Sequence, residues 1–188
     1  MDARPIRSSR LELVSLGPDV LDRLLDRRRE EVEAVLGAEI PEEWPDEHDS
    51  RFLRRRLDQM RGDPESQPWL VRALVLDETG RMVGHAGFHG PPGTNGPGLP
   101  DAVEVGYTVF DRFRGSGYAT EAVRALVAWA RERQVGTIVA SVAPGNEPSL
   151  AIVRKLGFVQ TGEQWDEEDG LELVFRLETG RPRPSGRL

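Results

Sequence analysis

The stretch from Ala102 to Arg133 constrains this chain more than any other. A strand-like run, Ala102 to Phe110, passes through Asp111-Arg112-Phe113 into Arg114-Gly115-Ser116-Gly117. From Tyr118 the pattern turns helical: Ala122, Val123, Leu126, Val127 and Ala130 form one apolar stripe. A strand that feeds a glycine turn and then a helix leaves unpaired N–H groups at the helix start, where the dipole favours negative charge. Glycines there let the main chain approach an anion closely, which suits a phosphate or pyrophosphate. Two familiar phosphate loops are excluded. The pattern G-x-x-x-x-G-K-[ST] lacks its lysine, and Thr120 stands where G-x-G-x-x-G requires its third glycine.

Around this segment, strands and helices interleave. Arg10 to Val14 predicts a strand, and a helical region opens at Gly17-Pro18-Asp19 and runs to Leu36, closed by Gly37. Pro41 to Pro45 breaks regular structure, and a second helix is expected from Ser50 to Arg61. Trp69–Leu76 and Arg81–His89 read as a hairpin, followed by a Pro- and Gly-rich loop, 91–100, of a kind that sometimes gates a site. After the main helix come a strand (Thr137–Val142), a short helix (Ser149–Leu156) and two strands (Phe158–Gln164, Leu171–Leu177) flanking the acidic turn Asp166–Asp169. This order predicts an α/β protein, a mixed sheet covered by helices, as one domain over 1–178 with a disordered tail over 179–188. Trp44, Trp69 and Trp165 are candidates for either a cleft wall or core.

Composition narrows the functional classes. The 188 residues carry a net charge of −7, which argues against a nucleic-acid partner. No run is apolar for long enough to span a membrane, and the N-terminus lacks a signal-peptide pattern, so a cytoplasmic protein is expected. With no cysteine there are no disulfides, thiolate metal sites or thiol nucleophiles, and no metal is expected. Lys155 is the single lysine, a skew to which no function attaches.

Arg114-x-x-Gly117-x-Ala119 resembles the Q/R-x-x-G-x-G/A pyrophosphate loop of the GNAT superfamily of N-acetyltransferases. Further on, Asn146-Glu147-Pro148-Ser149 and Leu156-Gly157-Phe158 resemble that family's N-x-x-S and L-G-F signatures at matching spacing. Glu104-Val105-Gly106-Tyr107 and Gly117-Tyr118-Ala119-Thr120-Glu121-Ala122 look like the Rim-type, ribosomal-protein N-acetyltransferase-like subgroup. The likeness extends from about Leu11 to Leu177. It implies a mostly antiparallel central sheet with a splayed parallel pair and about four helices. It also implies a bacterial enzyme that moves the acetyl group of acetyl-CoA to an amine in a ternary complex. The acceptor would be a small molecule or a protein N-terminus, and a homodimer is compatible. The alternative is a non-catalytic acetyl-CoA-binding or interaction module.

The resemblance also implies roles. Tyr107, Thr108 and Val109 would bond the pantetheine arm through their main chain, and Arg114, Gly115, Ser116, Gly117, Tyr118, Ala119 and Thr120 would hold the pyrophosphate. Asn146 would bond the pantetheine amides, or simply cap the helix that follows it. Glu104 is the candidate base for the acceptor amine, against its reading as a salt-bridged carboxylate. His85 and His89 share one strand face and either line the acceptor cleft or are structural. Many relatives carry a tyrosine acid seven residues after the asparagine. Val153 stands there in this chain, leaving Ser149 to position the thioester and solvent or substrate to supply the proton.

Overall fold

A computed structural model describes residues 4–167 and 170–180. Its elements are β1 (Ile6–Arg7), β2 (Leu11–Ser15), α1 (Pro18–Leu25), α2 (Arg29–Leu36), α3 (Glu47–Gly62), β3 (Arg72–Leu76), β4 (Met82–Phe88) and β5 (Ala102–Val109). There follow α4 (Tyr118–Glu132), β6 (Thr137–Val142), α5 (Glu147–Lys155), β7 (Val159–Asp166) and β8 (Gly170–Glu178). The strands form one sheet in the order β1-β2-β3-β4-β5-β6-β8-β7. Every neighbouring pair is antiparallel except β5 and β6.

Strand alternation sends side chains to two faces, and each face has its own apolar cluster. Val103, Val105 and Val109 of β5 pack with Ala122, Leu126 and Trp129 of α4 and with Leu150 and Val153 of α5. Ala73 and Val75 of β3 pack with Leu21 and Leu24 of α1, Val32 of α2, and Leu53 and Leu57 of α3. Burying side chains of this kind is worth about 1.5–3 kcal/mol each, so both helix layers are held firmly to the sheet.

The expected first helix is two. After Leu25 the sequence is Asp-Arg-Arg-Arg-Glu-Glu, which offers nothing to bury, and Arg27 turns into the left-handed region (φ 58°). Gly37 ends α2 with φ 64°, as expected. The next helix starts earlier than Ser50, because Asp46 and Asp49 form a reciprocal capping box there. The strand expected from Trp69 begins only at Arg72, the preceding Pro64–Trp69 being a 3-10 turn that leaves Trp69 in the core. Trp44 is also core, whereas Trp165 is exposed on edge strand β7.

The expected tail divides. Thr179 is buried, its hydroxyl donating to Val135 O (2.5 Å) while its carbonyl accepts from Arg131 Nε (2.6 Å). Residues 181–188 lie outside the described residues, as do Glu168 and Asp169 of the acidic turn. Among the described residues no helix is long and apolar enough to cross a membrane.

Candidate active site

The parallel pair is short. Ala102, Val103 and Glu104 pair with Thr137, Ile138 and Val139, and then the strands part. β5 stays with β4, while β6 stays with β8. In an antiparallel ladder alternate residues turn their N–H and C=O toward the partner. His89 N donates to Glu104 O (2.8 Å) and Phe110 N to Val83 O (3.0 Å), which fixes the phase. Glu104, Gly106 and Thr108 therefore bond to β4, and the main chains of Tyr107 and Val109 face the gap. Of the three residues expected to offer main-chain bonds, Tyr107 and Val109 turn main-chain groups to the gap. Thr108 does not, because its N–H and C=O are already committed to the ladder. Val109 O accepts from Arg114 Nε (3.2 Å), so among the described residues the N–H of Val109 and both groups of Tyr107 are left for the gap.

A cavity of about 680 Å³ opens at this gap. All of segment 114–120 except Ser116 lines it, together with Tyr107, Thr108, Val109, Asn146 and Ser149. Gly115 (φ 78°) and Gly117 (φ 83°) both lie in the left-handed region, where a side chain is strained. Gly117 is the N-cap of α4 and supplies no side-chain cap, so the first-turn N–H groups stay open toward the cavity. Asn146 caps the helix that follows it: its Oδ1 accepts from Ser149 N (3.2 Å) at the start of α5, and the residue also lines the cavity. Val153 does not line it. The helix turns Val153 into the core beside Leu150, while Ser149 and Ile152 face the cavity.

Ser116 serves differently. Its carbonyl accepts from Arg10 Nη1 (3.1 Å), and Arg10 also pairs with Glu121 (2.6 Å) and lies over the Tyr118 ring at 4.7 Å. Glu121 further accepts from Ser8 Oγ (2.8 Å), Ser9 Oγ (2.9 Å) and Arg10 N (2.7 Å), and these bonds hold its carboxyl below the usual range against burial. The corner before β2 is thus bolted to the glycine loop. Beside it, Arg7, Arg10, Arg124 and Lys155 line a groove of about 480 Å³ that shares Gly117 and Thr120 with the larger cavity.

On the opposite side of β5 lies a cavity of about 310 Å³ that also touches Tyr107 and Thr108. Helix α3 covers it with Asp49, Phe52 and Arg56, and its floor holds His85 and His89. His85 sits among Phe52, Trp44 and Phe110, with ring centroids at 5.2, 6.0 and 6.5 Å, and its Nε2 is 3.6 Å from Asp49 Oδ1. Burial pulls Arg56 down to about 10, which leaves it charged at neutral pH. Arg56 Nη1 donates to His89 O (3.0 Å), and Gln59 Nε2 donates to the same oxygen (3.2 Å).

Glu104 lines neither cavity. Only 2% exposed, it accepts from Gly96 N at Oε2 (2.6 Å) and from Ser141 Oγ at Oε1 (2.5 Å). Gly96 belongs to the 91–100 loop, which is internally bonded through Asn95 to Leu99 and Ala102. His89 Nδ1 is 3.7 Å from Glu104 Oε2. The His89 ring keeps 44% of its surface open, yet burial lowers its pKa, with Glu104 acting in the opposite sense. Burial likewise raises the Tyr107 phenol. Ser149 opposes that rise, although the hydroxyl makes no hydrogen bond of ordinary geometry among the described residues.

Comparison with known proteins bears on this geometry. A family model described as an acetyltransferase (GNAT) domain matches residues 10–159. The uncharacterized N-acetyltransferase p20 of Bacillus licheniformis is 30% identical over 97 residues, covering 51% of this chain and 52% of that protein. The chain spans about half the length, or less, of the first curated relatives it matches. Among solved structures, the ribosomal-protein-S5-alanine acetyltransferase of Vibrio fischeri superposes with a TM-score of 0.63 at 17% identity, over 96% of this chain and 99% of that one. The microcin C7 self-immunity acetyltransferase MccE, solved with acetyl-CoA and AMP, does so with a TM-score of 0.60 at 14% identity, over 90% and 93%.

Proposed function

This chain belongs to the GNAT acetyltransferase family, and on that premise we propose that it transfers the acetyl group of acetyl-CoA to a primary amine by direct attack. The observation that carries the reading is the convergence at the β5–β6 gap. An open helix start, a two-glycine turn, the main chain of Tyr107 and the N–H of Val109 share one cavity. That cavity meets a second one, on the far side of the same strand, at Tyr107 and Thr108.

The residues fit acetyl-CoA by their chemistry. The first-turn N–H groups of α4 would hold the pyrophosphate, with the cationic groove of Arg7, Arg10, Arg124 and Lys155 beside them for further phosphate charge. Tyr107 and Val109 would bond the pantetheine arm, and a main-chain N–H there would polarise the thioester carbonyl. The acceptor would occupy the smaller cavity, whose volume admits a small amine or the end residue of a peptide. Attack forms the C–N bond and breaks C–S, so one proton must leave the amine and one must reach the thiolate. Glu104 serves the first step, and its buried position makes it act through a neighbour. For the second, Ser149 and Tyr107 are the hydroxyl donors lining the cavity near each other, and burial keeps the phenol protonated at neutral pH.

The test is a screen for thiol release from acetyl-CoA with amino acids, spermidine, an aminoglycoside and peptides with free N-termini, each product checked by mass spectrometry. Amine-dependent release with an acetylated product supports the reading. Binding of acetyl-CoA without turnover on any amine would favour a non-catalytic acetyl-CoA-binding module.

A further inference from the structure

The proposed transfer leaves one question open: which group touches the acceptor amine? Glu104 has both carboxylate oxygens engaged at 2.6 and 2.5 Å, is 2% exposed, and lines neither cavity. The group between it and the acceptor side is His89. Its ring lines the smaller cavity, and its Nδ1 faces Glu104 Oε2 at 3.7 Å. Its main chain is fixed on the sheet side by N–H donation to Glu104 O and on the helix side by Arg56 and Gln59. Beneath the ring lies Gly106, where an added Cβ would stand 3.3 Å from His89 Nε2, so the glycine leaves room for the imidazole. Seat, orienting carboxylate and access therefore coincide at one side chain.

We propose that His89 is the catalytic base that takes the proton from the acceptor amine, with Glu104 as the residue that positions it. This inference rests on the acetyltransferase reading above. In the reactive tautomer Nδ1 carries its hydrogen toward Glu104, and the Nε2 lone pair faces the cavity. The acceptor ammonium loses a proton to Nε2, which regenerates the amine lone pair that attacks. The imidazolium formed is stabilised by Glu104, and solvent removes its proton after turnover. Four charges act on the ring: Glu104 on β5 and Asp166 on β7 raise its pKa, while Arg56 and Arg55 on α3 lower it. Burial outweighs them and keeps the imidazole neutral, hence basic, at neutral pH.

Two measurements test this. The first follows the His89 imidazole by NMR through a pH titration, which needs no acceptor. The expected titration lies below the ordinary 6.5 or so and falls further in Glu104→Gln, because a raising charge has gone. An ordinary titration untouched by Glu104→Gln would overturn the proposed pairing. The second compares native protein with His89→Gln and His89→Ala on the amine that gives the highest rate in the screen. Turnover is expected to fall about 100-fold, with acetyl-CoA binding unchanged, loss of the acid limb of the pH–rate profile, and partial rescue of His89→Ala by free imidazole. Variants that keep the native rate and profile would refute the role of His89 while leaving acetyl transfer intact. A native protein that turns over no amine would instead count against the acetyltransferase reading.

Discussion

The two cavities that meet at Tyr107 and Thr108 are made of different material. The larger presents main chain: the open first turn of α4, two glycines in the left-handed region, and the free groups of Tyr107 and Val109. The smaller presents side chains: Asp49, Arg56, His85 and His89 on a floor and lid from separate elements. Main-chain donors recognise a phosphate whatever side chains surround them, so such a surface can serve one common ligand across a family. Titratable side chains set which partner binds and which proton moves, and acceptor choice is expected to lie with them.

The largest expected effect breaks the main-chain side. Gly117→Asp puts a side chain at φ 83° and a carboxylate at the helix start. Strain of about 1–3 kcal/mol together with charge repulsion should weaken acetyl-CoA binding at least 100-fold by calorimetric titration, roughly 2.7 kcal/mol. Equal binding would show that the loop holds no phosphate. On the side-chain side, Glu104→Gln removes the charge behind His89 and keeps its size. Turnover should drop about 100-fold with the acetyl-CoA Kd unmoved, and a fall in affinity instead of rate would place Glu104 on the wrong side of the strand. Val153→Tyr probes the core beneath the larger cavity. Val153 is 1% exposed in the core, so the larger ring should cost about 1–3 kcal/mol in denaturant unfolding and give no gain in turnover. A faster enzyme would mean that position 153 reaches the thiol. The smallest effect is Arg10→Ala, which loosens the loop from outside. A roughly tenfold weaker acetyl-CoA Kd is expected, about 1.4 kcal/mol, with turnover at saturation unchanged. An unaltered Kd would show that neither the loop's shape nor the phosphate charge depends on Arg10.

The same contrast explains what the sequence made legible. The loop and α4 depend on contiguous residues, so glycine placement and a helical stripe located them, and the ends of β6 were equally clear from local pattern. The family's sheet with one parallel pair was likewise implied, although among the described residues five α-helices rather than about four cover it. Long-range contacts were not legible. Arg10 reaches Glu121 across 111 positions, and Ser141 reaches Glu104 across 37. Thr108 looked equivalent to Tyr107 and Val109, because only the phase of the β4–β5 ladder separates them. The break between α1 and α2 was hidden by apolar residues on both sides of it, and Lys155 gave no sign of the groove that it lines.

In the proposed reaction, acetyl-CoA and an amine occupy the two cavities together and react directly across β5. Initial rates measured with both substrates varied test it most directly, on the amine that the screen identifies. Direct transfer gives intersecting double-reciprocal lines and no acetylated protein by mass spectrometry after incubation with acetyl-CoA alone. Parallel lines, with an acetyl group retained on the protein and passed to the amine afterward, would contradict it.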